Sequence, residues 1–111
     1  MRKSFDTFTP LGPWIVTADE ISDPQRLQNQ LWVNGELRQS ANTSDMTVSV
    51  AELIELVSSV MTLNPGDVIA TGTPEGVGPI LPGDTVRMAI ESVGEMTLSV
   101  EEADKAAPRL F

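Results

Sequence analysis

The sequence has no cysteine and no histidine among its 111 residues. Without cysteine there is no disulfide, no thiolate nucleophile and no thiolate metal site, and cysteine usage cannot assign a redox compartment. Without histidine the chain alone cannot build a Ser-His or Cys-His nucleophile or a histidine metal site, and it lacks the commonest general base. Positive charge is also scarce: seven Lys and Arg stand against sixteen Asp and Glu, for a net charge of −9. The bases (Arg2, Lys3, Arg26, Arg38, Arg87, Lys105 and Arg109) are scattered and form no patch, so nucleic acid and anionic membrane are excluded as partners. No apolar run approaches the roughly 18 to 20 residues of a membrane span. Met1-Arg2-Lys3 leads into Ser4-Phe5-Asp6-Thr7 without the apolar stretch of a signal peptide. The expectation is a soluble, cytoplasmic protein.

What is present fits one small domain, with a hydrophobic fraction of 41% to supply a core. Pro10, Pro13 and Pro24 forbid a long helix in the opening stretch, where Trp14-Ile15-Val16 reads as a short extended piece. Asn34-Gly35 sits between the strand-like arms Gln30 to Val33 and Glu36 to Gln39. Both central residues of a type I′ turn need φ > 0, which makes this pair a strong hairpin signal. Ser49 and Glu52 have capping-box spacing, and Leu53, Ile54, Val57, Val60 and Met61 share one face, which predicts one principal helix over about 50–62. Asn64-Pro65-Gly66 stops it. Strands are predicted at 67–70, 85–91 and 95–101, the last two joined through Ser92-Val93-Gly94, with Val86, Met88 and Ile90 on a dry face. The fold class is α+β, mostly β. Residues 1–102 form the domain and 103–111 a tail without period.

The stretch that points to chemistry is Thr71-Gly72-Thr73-Pro74-Glu75-Gly76-Val77-Gly78, directly after the apolar Val68-Ile69-Ala70. Glycines and threonines at a strand end expose backbone N–H groups and hydroxyls without bulky shielding, the makings of a small-anion or carboxylate pocket. No Lys follows the glycines as a Walker loop requires, and Pro79-Ile80-Leu81 breaks a dinucleotide fingerprint. Elsewhere, Trp14 and Trp32 read as core or interface aromatics, and Asp6 as the acceptor of an Asx-type turn.

Three separated motifs carry a resemblance. They are Lys3-Ser4-Phe5-Asp6-Thr7-Phe8-Thr9-Pro10-Leu11-Gly12-Pro13-Trp14, then Val33-Asn34-Gly35-Glu36-Leu37-Arg38-Gln39, then Asn64 through Pro79. In order and spacing they resemble the second half of the fumarylacetoacetate hydrolase family domain, with the similarity running from Lys3 to about Val100. The nearest branch handles 2-oxo dicarboxylic acids and includes 2-hydroxyhepta-2,4-diene-1,7-dioate isomerases and 5-oxopent-3-ene-1,2,5-tricarboxylate decarboxylases. The resemblance implies a partial fold of mixed β-sheets. It also implies a metal-dependent enzyme acting on small 2-oxo or 1,3-dicarbonyl acids by C–C hydrolysis, decarboxylation or keto–enol isomerisation. A divalent ion, Mg²⁺ or Mn²⁺, would hold the substrate's oxygens and stabilise an enolate. Lys3 matches the active-site lysine of the family. Thr73, with Gly72 beside it, matches the loop that grips a substrate carboxylate.

In the family the metal ligands, a Glu-x-Glu pair and a later Asp, precede the lysine motif, and this sequence starts at that motif. No metal ligand is assigned. Glu52 is explained by the helix cap, and Glu101-Glu102, adjacent on a strand, point to opposite sides. The expectation is a part of an enzyme, without cofactor and inactive as an isolated chain. Its partner would be the missing N-terminal half or a second copy in a homo-oligomeric dimer. A noncatalytic β-rich assembly module is the alternative.

Overall fold

Asn34 and Gly35 reverse the chain with φ of 51° and 82°, the left-handed pair that a type I′ turn demands. The turn joins β1 (Gln28–Val33) to β2 (Glu36–Asn42). A second hairpin joins β3 (Thr85–Ile90) to β4 (Gly94–Ser99) through Ser92, itself at φ 60°. The computed structural model describes residues 5–103. Lys3 and residues 104–111, nearly all of the expected tail, lie outside the described residues.

The four strands make one sheet in the order β2-β1-β3-β4. The resemblance implies mixed sheets, whereas every pair here is antiparallel. Two of the three pairs are closed by tight turns, which only antiparallel neighbours allow. The long return from β2 brings β3 against β1, and Asn34 fastens that joint. Its amide donates to Asp84 Oδ1 at 2.7 Å, and its side-chain oxygen accepts from Thr85 N–H at 2.9 Å.

The helix α1 (Val50–Val60) starts as its sequence dictates, with Ser49 and Glu52 closing a reciprocal capping box. Met61 is already extended at φ −148°, so the helix stops short of Thr62. The short strand expected at Asp67 to Ala70 does not form, and the extended piece expected at Trp14 to Val16 joins no sheet. Trp14 to Val16 and Asp67 to Ala70 carry no ladder, because a strand exists only against a hydrogen-bonded neighbour and none of the described residues pairs with them. Asn64-Pro65-Gly66-Asp67 is instead a turn, with Gly66 at φ 97° and Asp67 N–H bonded to Asn64 O.

Register places Leu31, Val33, Val86, Met88, Ile90, Met96 and Leu98 on one sheet face. The opposite face is polar: Arg87 stacks on Trp32 at 4.6 Å and pairs with Glu95 at 2.5 Å. Of the described hydrophobic residues only Val33 and Val86 are buried, at 5% and 8% exposure. The apolar content foreseen as a core lies largely open, with Ile54, Leu56 and Val60 of α1 and Met61 just after it all exposed. One sheet and one helix have too few layers to enclose it.

Candidate functional site

The site is built from the β2 strand outward. Along β1 and β2 the pairing runs Leu31 to Gln39 and then Trp32 to Leu37, so Arg38 is an extra residue in β2, a β-bulge. Beyond the bulge Gln39 and Ala41 share a face with Leu31 and Asn29, the apolar face. From there the Gln39 amide Nε2 reaches the glycine loop, contacting Thr73 Oγ1 at 3.1 Å, Pro74 O at 2.9 Å and Glu75 O at 3.1 Å. The loop backbone also presses on the bulge. A Cβ on Gly76 would lie 2.0 Å from the Arg38 carbonyl oxygen, and Gly76 has φ 93°. Only glycine fits there.

Between this loop, the sheet face and the entry to α1 lies a cavity of about 350 Å³. Asn29 and Ala41 form part of its wall, Thr71, Gly72, Thr73 and Pro74 another, and the 3₁₀ turn Thr43–Asp45, Met46, Thr47, Val48 and Leu53 much of the rest. Gln25 fixes that last wall: its Nε2 donates to Thr43 O while its Oε1 accepts from Val50 N–H at 2.9 Å. Gly72, at φ 103°, holds a conformation that favours glycine. The N–H groups of Thr71, Gly72 and Thr73 have no acceptor among the described residues. Thr73 and Gly72, the candidates from the sequence, both line the cavity.

Among the described residues Asp45 is the only ionisable one in the cavity lining, and its Oδ2 accepts from Asn42 N–H at 3.0 Å. Among the described residues no group of three or more acidic side chains converges. A hard divalent ion wants several oxygens at one point, so the described residues do not fit one by themselves. Lys3 lies outside the described residues. The aromatics keep away from the cavity: Trp14 bonds to Val93 O and Trp32 sits on the polar face. At Asp6 the turn is closed by Phe8 N–H to Phe5 O at 3.1 Å rather than by the Asp6 carboxylate. Gln39 and Gln25, the side chains that hold the cavity together, carry no role in the sequence reading.

Comparison with known sequences decides the lineage. The sequence model of the family "Fumarylacetoacetate (FAA) hydrolase C-terminal" matches residues 1–101. The chain belongs to this family. It is 59% identical over 99 residues to a maleylpyruvate hydrolase of Aquipseudomonas alcaligenes, covering 89% of this chain and 34% of that one. Among solved structures, the maleylpyruvate hydrolase of Sphingobium sp. SYK-6 in complex with manganese(II) ion and pyruvate superposes with a TM-score of 0.91 at 54% identity. That match covers 93% of this chain and 39% of that one. The 2-hydroxyhepta-2,4-diene-1,7-dioate isomerase of Mycobacterium marinum gives 0.84 at 50% identity, covering 91% and 39%. This chain therefore spans about a third to two fifths of the length of these relatives. Within the described residues no helix is long and apolar enough to cross a membrane.

Proposed function

We propose that this chain supplies the carboxylate-binding portion of a cytoplasmic enzyme acting on small 2-oxo or 1,3-dicarbonyl carboxylic acids. The reaction is C–C hydrolysis, decarboxylation or keto–enol isomerisation. The observation that carries the reading is the row of backbone donors at Thr71, Gly72 and Thr73, without acceptors among the described residues, on the wall of a cavity of about 350 Å³. A volume of that order holds a small organic acid. The Thr73 hydroxyl and the neighbouring N–H groups bind one carboxylate and thereby orient the carbon skeleton. Lys3 is assigned the catalytic role of offsetting negative charge that develops on the substrate.

The described residues of the cavity lining contribute one acid and no base, so a bound carboxylate needs a cation from outside them. In a complete domain Mg²⁺ or Mn²⁺ would supply it, a reading supported by the presence of both manganese(II) and pyruvate in the complex of the Sphingobium hydrolase. The described residues do not fit the ion, so this chain's share of the work is binding, orientation and the Lys3 charge. The partner is polypeptide equivalent to the rest of the relatives' chains, or a second copy. The exposed apolar residues of α1 favour one further reading, a noncatalytic assembly module that keeps the fold for association.

The test is a chimera in which this chain replaces the 99 matched residues of the Aquipseudomonas hydrolase. Maleylpyruvate cleavage by the folded chimera, lost on Thr73→Val, supports the enzyme reading. A folded chimera that binds manganese but does not cleave supports the assembly module instead.

A further inference from the structure

The geometry around Gln39 assigns a direction to the Thr73 hydroxyl. The amide end of Gln39 that faces the loop meets two backbone carbonyls, Pro74 O at 2.9 Å and Glu75 O at 3.1 Å, and carbonyls can only accept. That end is therefore the NH₂, since the reverse orientation would set three oxygens against one another. An amide nitrogen has no lone pair to offer, so at 3.1 Å Thr73 Oγ1 is the acceptor from Gln39. With two hydrogens for three oxygens, one hydrogen is shared, and all three partners still draw on the same donor. The hydroxyl proton of Thr73 has no acceptor among the described residues, and Thr73 lines the cavity.

We propose that Gln39 is the positioning residue of the site: by donating to Thr73 Oγ1 it leaves the hydroxyl proton to a ligand, so the cavity selects a molecule that brings an acceptor oxygen. The identity of that oxygen as a carboxylate rests on the function proposed above; the direction of the hydroxyl does not. The bulge at Arg38 is what makes the contact possible, because it carries Gln39 to the face where the loop lies. The loop is held at a second, independent point by the close approach of Gly76 to the Arg38 carbonyl.

The test uses NMR on the isotope-labelled 111-residue chain, without ligand first. The parent should show Thr73 in a single χ1 rotamer and Gln39 side-chain amide protons slowed in exchange with water. Gln39→Met and Gln39→Leu keep an apolar side chain of similar bulk without donor or acceptor, so both should leave Thr73 averaged among rotamers while the signals of the hairpin around Asn34 are unmoved. A role in filling space alone would survive both substitutions. Gly76→Ala should free the loop with Gln39 still in place. A single Thr73 rotamer in both Gln39 variants, or an averaged one in the parent, overturns the inference. Pyruvate is then titrated as the probe into the chimera with the Aquipseudomonas hydrolase in the presence of Mg²⁺, which supplies the cation that a bound carboxylate needs. Its dissociation constant, read at the Thr73 amide, should rise roughly tenfold or more in Gln39→Met, the effect of losing a hydrogen bond to a charged group. Pyruvate that leaves Thr73 of the parent unmoved overturns the carboxylate reading alone, because the couplings were measured without it.

Discussion

The indole of Trp14 occupies the space that a side chain at Gly94 would need: a Cβ there would lie 2.6 Å from Cζ2 of the ring. The ring is fixed by its Nε1–H, which donates to Val93 O at 2.7 Å. A small void of about 60 Å³ separates it from Met88, Ile90 and Met96. The β3–β4 hairpin thus anchors the proline-rich segment that leads back to Lys3, and does so through two neighbouring residues, a carbonyl and a missing side chain.

Gly94→Ala should evict that ring. The backbone at φ 126° already disfavours any other residue. Strain and displaced contacts together should cost about 1 to 3 kcal/mol. In a Trp32→Phe background, acrylamide quenching of Trp14 should rise in the Gly94 variant, while Trp14→Phe alone should cost about 1 kcal/mol, the worth of one hydrogen bond. Unchanged quenching would mean that the ring is not seated on Gly94.

The helix cap carries a pH dependence of definite sign. Glu52 accepts from Ser49 O–H at 2.7 Å and from Ser49 N–H at 2.8 Å, and these bonds hold its carboxyl below the usual glutamate range. A carboxyl lowered in the folded state adds stability above its unfolded value, about 4.3, and loses it as pH falls through the folded value. Asp84, lowered by Leu81 N–H and the Asn34 amide, acts in the same sense just below about 3.9. Urea midpoints should therefore fall as pH is taken from 6 toward about 3, and Glu52→Gln should flatten the upper part of that fall. A parent and variant with parallel profiles would remove the cap from the account.

Local signals were legible because they are closed within a few residues. The Asn34-Gly35 turn, the Ser49-x-x-Glu52 cap and the alternation of Val86, Met88 and Ile90 each need only neighbours in sequence, and each stands in the structure. The strand predicted at 67–70 failed for the opposite reason, since pairing is a property of two segments. Gln39 shows the limit most clearly. An unbroken hairpin register from Val33 and Glu36 would set Gln39 opposite Gln30, on the polar face. The bulge at Arg38 sets it opposite Leu31 and turns it toward the glycine loop. One extra residue, with no sequence signature of its own, decides which face the positioning residue serves. Thr73 and Gly72 could be named as candidates because a row of glycines and hydroxyls suggests its own chemistry, whereas the bond from Gln39 to Thr73 is visible only in three dimensions.

In the chimera with the Aquipseudomonas hydrolase, Thr73→Val should weaken substrate binding by about 1.5 to 3 kcal/mol, because a desolvated carboxylate oxygen loses a donor. The effect belongs in KM. Lys3→Met should act mainly on kcat, since a charge that offsets developing negative charge is worth more in the transition state than in the ground state. Steady-state constants within twofold of the parent for both variants would take both residues out of the site.

Metal and activity together decide between the enzyme reading and the assembly module. Negative charge developing on a 2-oxo acid needs a counter-charge at neutral pH, and among the described residues the cavity lining offers only Asp45, of the wrong sign. Three converging acids are absent among the described residues, so the 111-residue chain should take up Mn²⁺ only as weakly as any acidic surface of net charge −9. By calorimetry this means no stoichiometric binding at micromolar concentration, and by absorbance no cleavage of maleylpyruvate above background. Adding the part of the Aquipseudomonas hydrolase that lies outside the matched region, as a separate chain, should create both metal binding and turnover, and Thr73→Val should then remove turnover while sparing the metal. Micromolar binding by the chain alone would show that copies of it assemble a carboxylate cluster between them, and the counter-charge would then come from self-association rather than from the rest of a family domain.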